Sequence, residues 1–495
     1  MKQNQKPVCL FRKDKIFLMS KSLLVIMLFG GSVFAQSDKS EKTIAKGPEK
    51  KENKSEKKNA ASLLEWPPKL ENGKQVATDM SVDFITKPEN VKLEEDVEIA
   101  KTAPTIDFLY LPGQTRPAKL WSVWGDGSAI GSKYYTSIGS HESPRGEGQV
   151  YEYDSETKQI RLIMNVKNFL EQPGMLAKNE DYIPGKIHSR TEMGSDGFVY
   201  FSTHRGSTQD NTTDARGYKG DNIYRVNPKT GKMEIAAHYP MPKHTIPASV
   251  LDPKRMIYYG GTAQGNDSPD KGVWFIAYDV KNNKLLKKAP DGFARYAMFS
   301  SSTGRVFWKP LSESKKAGNE EDLYGRKYDP NTNEITHSDE VPEVRACTQE
   351  TKDGKIYGFT QGNRNLWVFD VKSEKFKDLG PGMVASQSYV TSMDLDPVTQ
   401  RYIYYVPGAH GGGVKDGTPV VQYDIKTNKR KIVAFLSKFY MEKYGYSPDG
   451  TFSTAVSPDG SIVYVTWNGS RAKDAKDWDT VAMTAIHIPK SERKP

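Results

Sequence analysis

One short sequence phrase recurs seven times along this 495-residue chain. Each copy alternates aromatic and apolar residues, ends in Asp or Asn, and is followed by a polar turn. The copies lie at Tyr153-Asp154, Val226-Asn227, Tyr278-Asp279, Tyr328-Asp329, Phe369-Asp370, Tyr423-Asp424 and, in degenerate form, Ile486-His487-Ile488. Short strands that repeat roughly every 40 to 70 residues are typical of propellers. We therefore predict an all-β fold, a seven-bladed β-propeller of four-stranded antiparallel blades.

The repeat also predicts how the ring closes. The predicted blades cover approximately residues 116–166, 185–240, 243–290, 292–340, 343–380, 385–437 and 450–490. The last blade ends after only three strands, and an open sheet edge favours aggregation. We therefore expect a strand within residues 97–111, best at 105–111, to complete blade seven. The best helix candidate, residues 436–443, is predicted to be a short connector.

The N-terminal 62 residues are predicted to lie outside the propeller. A basic start, an apolar run at residues 23–29 and small residues at Val33 and Ala35 are typical of a signal peptide, here residues 1–35. Residues 36–62 are rich in Lys and Glu and lack aromatic residues, which predicts a disordered linker before a propeller domain at 63–495. We expect an exported protein, periplasmic or secreted, with no membrane-spanning segment.

Charge and cysteine content restrict the function further. Eight of the ten net positive charges lie in the first 62 residues, so the propeller does not have the basic surface of a nucleic-acid-binding protein. Beyond the predicted signal peptide the only cysteine is Cys347, which excludes an intramolecular disulfide. We expect a monomer whose stability comes from a large core.

Blade alignment predicts which distant side chains share a face. In each blade the innermost strand begins, and the second strand ends, at the same face of the disc and close to its axis. The residues at these positions are His188, His244, Arg295 and Arg345 at strand starts, and His141, His204, His410 and Gln361 at strand ends. We therefore predict that one functional site lies on this face.

These residue types suggest a particular chemistry. Arginine binds carboxylate or sulfate groups bidentately, and histidine is the usual base near neutral pH. Tyr259, Tyr296 and Tyr389 are candidate proton donors. An anion-binding group, a neutral imidazole and a phenol are what is needed to remove a proton next to a carboxylate and expel a leaving group. The pattern therefore favours β-elimination in uronate-containing polysaccharides or oligosaccharides.

The segment Lys186-Ile187-His188-Ser189-Arg190, together with His204, His244 and Arg295, resembles seven-bladed propeller polysaccharide lyases of the ulvan-lyase and oligogalacturonate-lyase kind. By this resemblance His188 or His204 is the base, Tyr259 or Tyr296 the acid, and Arg295 or Arg345 neutralises the carboxylate. We assign catalytic roles to this set and to His244. Substrate-binding roles are predicted for His141, Arg190, Gln361 and His410.

Cofactor and function class remain open at this stage. Some members of the family use a metal, so a divalent Mn, Zn or Ca ion is one alternative, with His188, His204, His244 and His410 as candidate ligands. A second hypothesis for the same face is that the propeller is non-catalytic and binds a glycan or a protein there. A third is a propeller lyase similar to streptogramin lyases, which share turn phrases such as Asp196-Gly197.

Overall fold

The computed structural model describes residues 67, 69–114, 121–140, 146–206, 210–310, 324–471 and 478–494. These residues form seven sheets of four or five mostly antiparallel strands. The fold is all-β, and the prediction of a seven-bladed β-propeller is confirmed. The predicted signal peptide and linker, residues 1–62, lie outside the described residues, as does His141.

The strands follow the repeat in chain order. Three strands precede the first blade: β1 (Ala77–Met80), β2 (Val97–Ile99) and β3 (Thr105–Tyr110). Blade one contains β4 (Trp121–Ser122), β5 (Ser128–Ile130), β6 (Lys133–Ser140), β7 (Gly148–Asp154) and β8 (Gln159–Asn165). Blade two contains β9 (Glu192–Met193), β10 (Val199–Ser202), β11 (Ile223–Val226) and β12 (Met233–Ala237). Blade three contains β13 (His244–Asp252), β14 (Ile257–Gln264), β15 (Trp274–Asp279) and β16 (Lys284–Pro290).

The remaining blades are built in the same way. Blade four contains β17 (Met298–Phe299), β18 (Val306–Trp308), β19 (Gly325–Asp329) and β20 (Glu334–Ser338). Blade five contains β21 (Ala346–Cys347), β22 (Lys355–Phe359), β23 (Asn365–Asp370) and β24 (Lys375–Pro381). Blade six contains β25 (Val390–Leu395), β26 (Tyr402–Pro407), β27 (Pro419–Asp424) and β28 (Lys429–Phe435). Blade seven contains β29 (Ser447–Val456), β30 (Ile462–Ser470) and β31 (Thr480–His487).

The recurring Asp or Asn ends the third strand of a blade by binding the backbone of the following turn. The Asp154 carboxylate accepts hydrogen bonds from the N–H groups of Glu156 and Thr157, at 3.0 and 3.4 Å. Asn227 and Asp279 make the same pair of bonds in blades two and three. Bonds from a side chain to the backbone favour a tight turn over a continued strand. This local chemistry explains why the phrase returns once per blade.

The N-terminal strands close the ring. β3 pairs antiparallel with β31, from Thr105 opposite His487 to Tyr110 opposite Ala482, which confirms the predicted closure. β1 then pairs with β3 and gives blade seven a fifth strand. β2, which lies in the same predicted window, pairs instead with β28 of blade six, and it does so in parallel. Three blades are therefore five-stranded rather than four-stranded, since blade one also carries β5.

Helices are few among the described residues. The predicted connector is confirmed as α2 (Ser437–Tyr444), which follows α1 (Val166–Leu170). α1 was not predicted because five residues are too few to show a helical period. 3-10 turns lie at Glu71–Gly73, Val82–Ile85, Asp214–Arg216, Val414–Asp416 and Lys490–Glu492. Of the helices in the described ranges, none has the length and hydrophobicity needed to cross a membrane.

The hydrophobic core lies between neighbouring blades. Phe275 of blade three stacks on Trp308 of blade four, with ring centroids 4.6 Å apart. Tyr134 of blade one stacks on Tyr464 of blade seven at 5.0 Å. Each blade thus buries its aromatic face against the next, and such pairs add to the free energy gained from buried area. This packing fixes the innermost strands, whose ends carry the candidate site.

Candidate functional site

Six basic side chains from four blades lie together near the propeller axis. This cationic cluster consists of Lys186, His188, His204, Arg295, Arg345 and His410. Nη1 of Arg295 lies 3.5 Å from Nε2 of His188, and the rings of His188 and His204 are 5.9 Å apart. The structure therefore brings together five of the residues predicted from blade alignment, and it adds Lys186.

Arg345 is the most unusual member of the cluster. It is only 4% exposed. Its guanidinium makes no hydrogen bond or ion pair with any residue that the structure describes, and it lies 5.4 Å from the ring centroid of Phe452. Burial and the positive charge of Arg295 lower the pKa of Arg345 to about 10. A buried cation without a partner is costly, so an anion bound here would gain an unusually favourable interaction.

The hydrogen bonds of two histidines define their tautomers. Nδ1 of His188 lies 2.9 Å from the Pro247 carbonyl oxygen. A carbonyl can only accept, so Nδ1 carries the proton and Nε2 carries the lone pair, to which Nη1 of Arg295 donates a long hydrogen bond. Nδ1 of His204 lies 2.8 Å from Oγ1 of Thr245, whose hydroxyl donates to the Ala263 carbonyl, which again leaves the lone pair on Nε2. Both imidazoles can therefore accept a proton at Nε2.

Electrostatics keep these histidines neutral. Burial, followed by the positive charge of Lys186, lowers the pKa of both His188 and His204 well below its ordinary value. Burial and the charges of Arg345 and Arg295 likewise lower the pKa of His410 to about 4. Burial and the charges of Arg295 and Arg205 lower the pKa of Lys186 to about 7. Near neutral pH the charge of the cluster therefore rests mainly on the arginines.

Four aromatic side chains surround the cluster, and we call them the aromatic group: Trp124, Tyr389, Phe452 and Trp478. Trp124 stacks on the His188 ring at 5.8 Å, and Nζ of Lys186 lies 4.0 Å from its centroid. Trp478 stacks on the His410 ring at 5.7 Å. Flat aromatic faces beside polar groups are suited to contact with sugar rings. Sequence reasoning did not find Trp124 or Trp478, because neither lies in the repeated phrase.

Tyr389 is the tyrosine that contacts the cluster most directly. Its hydroxyl is hydrogen-bonded to Nδ1 of His410. Burial raises the pKa of Tyr389, while the charges of Arg345 and Arg295 lower it. Tyr296, next to Arg295 in the chain, instead packs its ring under the Arg190 guanidinium at 4.7 Å. Tyr389 therefore has the position expected of a proton donor in this site.

Three other predicted residues lie apart from the cluster. Tyr259 has no exposed surface and its hydroxyl donates to the Gly304 carbonyl, in the core between blades three and four. His244 is also fully buried, and its two ring nitrogens bind Oγ1 of Thr262 and the Asp270 carbonyl, each at 2.8 Å. Gln361 is exposed in the turn after β22. None of these three residues makes a described contact with the cluster.

Arg190 follows His188 by two residues and lines a cavity together with Asp126, Glu192 and Asp394. Its Nε is 3.7 Å from Oδ2 of Asp126, and its Nη1 is 4.0 Å from Oε1 of Glu192. Burial opposes its charge, but Asp126 and Glu192 raise the pKa of Arg190. Unlike Arg345, this arginine already has anionic partners within the protein.

The donor set does not fit a metal ion. Within the described residues, no three His, Cys, Asp or Glu side chains are arranged to hold one. His188 and His204 are the closest pair of candidate ligands, and Lys186 and Arg295 lie beside them. Neighbouring positive charges oppose the binding of a cation. The cluster is therefore a candidate site for an anion.

The chain matches no protein-family model and no curated protein sequence. Among solved structures it is similar to an oligogalacturonate lyase in complex with manganese, with 11% identity over 82% of this chain and 98% of that chain, and a TM-score of 0.47. An oligogalacturonate lyase from Vibrio parahaemolyticus has 10% identity over 81% and 98%, with a TM-score of 0.45. The WD40 repeats of RRP9 have 7% identity over 80% and 100%, with a TM-score of 0.46. These likenesses concern the propeller fold alone.

Proposed function

We propose that the protein binds an acidic saccharide at the cationic cluster and cleaves it by β-elimination. The observation that carries this proposal is the buried guanidinium of Arg345, which has no hydrogen-bond or ion-pair partner among the described residues, together with the neutral imidazole of His188. An anion-binding group and a base in one cluster match the two requirements of proton removal next to a carboxylate. The aromatic group supplies flat surfaces for the sugar rings.

In this proposal the arginines hold the substrate carboxylate. Arg345 and Arg295 would bind a uronate through charge-assisted hydrogen bonds. When the neighbouring carbon loses its proton, its electron pair moves into the carboxylate and increases the negative charge there. Two guanidinium groups that are already in place stabilise that added charge. Lowering the barrier in this way is the main task of the cluster.

The proton transfers are assigned to two side chains. Nε2 of His188 takes the proton from the carbon, since it carries the lone pair of a neutral ring and its only described contact there is a long hydrogen bond from Arg295. The electron pair then forms a carbon-carbon double bond as the bond to the glycosidic oxygen breaks. The hydroxyl of Tyr389 donates a proton to that oxygen, and His410 is placed to assist it. The products are a saccharide with an unsaturated uronate end and one with a new hydroxyl.

A second candidate function is binding of a glycan at the same site without cleavage. The aromatic group and Arg345 together form a surface that fits binding of an acidic glycan alone. Cleavage requires in addition that the Nε2 of His188 reaches a substrate proton, whereas binding does not. The predicted signal peptide would place either protein outside the cytoplasm, where acidic polysaccharides occur.

Replacing His188 with Ala tests the proposal. Wild-type protein mixed with a panel of uronate polymers should produce the ultraviolet absorbance of unsaturated uronate. His188→Ala should reduce kcat by about 100-fold or more, because the base is lost. The exposed His238 of blade two is a matched control, and His238→Ala should react at the wild-type rate.

Two results would contradict the assignment. Absence of absorbance with every polymer, combined with binding to one of them, would favour the non-catalytic function. An unchanged rate in His188→Ala would exclude His188 as the base. His204→Ala would then be measured, since Nε2 of His204 also carries a lone pair.

Because the pKa of His188 lies well below its ordinary value, protonation of His188 should not limit the rate between about pH 6 and about pH 8.

A further inference from the structure

Four chain segments contribute residues both to the site and to a cavity next to it. The cationic cluster and this cavity are two layers along the centre of the propeller. In four blades, a residue of the cluster or of the aromatic group is followed two positions later by a residue that lines a cavity below. The pairs are Trp124 and Asp126, His188 and Arg190, Arg345 and Cys347, and Phe452 and Thr454. Two residues of extended chain rise by up to about 6.6 Å. The cavity therefore lies one layer beneath the cationic cluster.

This channel cavity has a volume of about 250 Å³ and is lined by three carboxyl groups, Asp126, Glu192 and Asp394, together with Arg190. Two of the carboxylates bind the backbone of the next blade. Glu192 accepts the N–H of Leu251 at 2.8 Å, and Asp394 accepts that of Val456 at 2.7 Å. Their positions are explained by blade-to-blade packing.

Asp126 differs from these two carboxylates. It is 7% exposed, and its Oδ1 has no hydrogen-bond partner among the described residues. Its Oδ2 lies 3.7 Å from Nε of Arg190, a distance beyond a normal hydrogen bond. Asp126 therefore lacks the short backbone hydrogen bond that holds Glu192 and Asp394, and its side-chain partners are Arg190 and the hydroxyl of Ser392.

We propose that Asp126 is a positioning residue that acts through Arg345. Ionised Asp126 weakens the binding of an anion to the cationic cluster, and neutral Asp126 permits it. The inference rests on the anion-binding part of the proposed function and not on the cleavage step.

The charges around Asp126 support this role. Arg190 of blade two, Arg345 of blade five, and Asp394 and Ser392 of blade six all influence its ionisation. Burial raises the pKa of Asp126 to about 7, whereas Arg190, Ser392 and Arg345 lower it. In return, Asp126 raises the pKa of Arg345. Of the cavity carboxyl groups, Glu192 and Asp394 also have raised pKa values, of about 7 and about 6, chiefly because they are buried.

The direction of the effect follows from these charges. Below about pH 7 Asp126 is protonated, so Arg345 presents its full charge to a ligand. Above that pH the carboxylate attracts Arg345 and repels an incoming anion. A unit charge about one strand layer away changes affinity about tenfold when the effective dielectric constant is about 20 and salt is present. Lys186, whose pKa is lowered to about 7, loses its charge over the same range and acts in the same direction.

The test measures the Kd of inorganic sulfate by calorimetry at about pH 5.5 and about pH 8, because sulfate keeps its charge across this range. Wild-type protein should bind about 30-fold more weakly at the higher pH. Asp126→Asn stays neutral, so only the smaller combined effect of Lys186, Glu192 and Asp394 should remain, about threefold. Asp449 is a matched control, since burial raises its pKa too but its neighbours are Ser447, Ser470 and Asp479. Asp449→Asn should behave as wild type.

The proposal is overturned if sulfate affinity in wild-type protein is independent of pH, if sulfate does not bind at the lower pH, or if Asp126→Asn keeps the full pH response. Should Asp126→Asn fail to fold, Lys186→Met provides the test. It retains Asp126 and should still lose about tenfold in affinity, and a flat profile would contradict the inference. If no polymer is cleaved, the proposed lyase activity would be wrong. The pH dependence of sulfate binding would still test the role of Asp126.

Discussion

Replacing Arg345 with Met is expected to abolish anion binding and, at the same time, to stabilise the protein. The guanidinium is buried, unpartnered by described residues and close to Arg295, so its charge is held at a cost in the empty site. A neutral side chain of similar length removes that cost. We expect sulfate affinity to fall by about 100-fold or more. The free energy of unfolding without ligand should rise by about 1 to 2 kcal/mol.

Denaturation with and without sulfate measures both effects. Saturating sulfate should stabilise wild-type protein, because it binds the folded state, but should leave Arg345→Met nearly unchanged. Arg364→Met is the matched control, since Arg364 pairs with Glu94 at 2.6 Å and has no described contact with the cluster. It should bind sulfate normally and gain no stability. If Arg345→Met lost stability and kept its affinity, Arg345 would be a structural residue and the candidate site would be wrong.

The second large effect is expected at the strand that closes the ring. Phe108, in β3, has no exposed surface. Its ring stacks on Tyr440 and Tyr444 of α2, with both centroid distances 4.7 Å. Phe108→Ala should reduce the free energy of unfolding by about 3 to 5 kcal/mol, because it leaves a cavity where three elements meet. Urea denaturation measures this change as a shift in the unfolding midpoint.

A control in the neighbouring strand separates this packing effect from a general sensitivity of the N-terminus. Met80 in β1 is 75% exposed, so Met80→Ala should change the free energy of unfolding by less than about 0.5 kcal/mol. Equal midpoints for Phe108→Ala and wild-type protein would mean that β3 contributes little to the closed ring.

Where the repeat is regular, residues that blade alignment places on one face lie together in the structure. His188, Arg295 and Arg345 hold equivalent positions because the period of the repeat fixes where each innermost strand begins. Tyr259 shows the limit of this reasoning. It lies near the start of β14, whereas the site lies where second strands end, so its hydroxyl reaches the turn at Gly304 instead. Strand direction alone could have placed it.

Other parts of the site left no signal in the sequence. Blade one begins with a strand of only two residues, so the position of Trp124 just beyond it could not be read from the repeat. The partners of His244, a side-chain hydroxyl and a loop carbonyl, depend on tertiary packing. The position of Lys186 could have been predicted from the sequence. Lys186 precedes His188 by two residues and so lies on the same side of an extended segment.

The pairing of β3 with β31 has a consequence for the order of events during synthesis. Asp107 and His487 are hydrogen-bonded at 3.0 Å although 380 residues separate them. The ribosome therefore translates β3 well before its partner strand β31 exists. Contacts between such distant segments form slowly. We therefore expect blade seven to close the ring only after the other six blades have been synthesised.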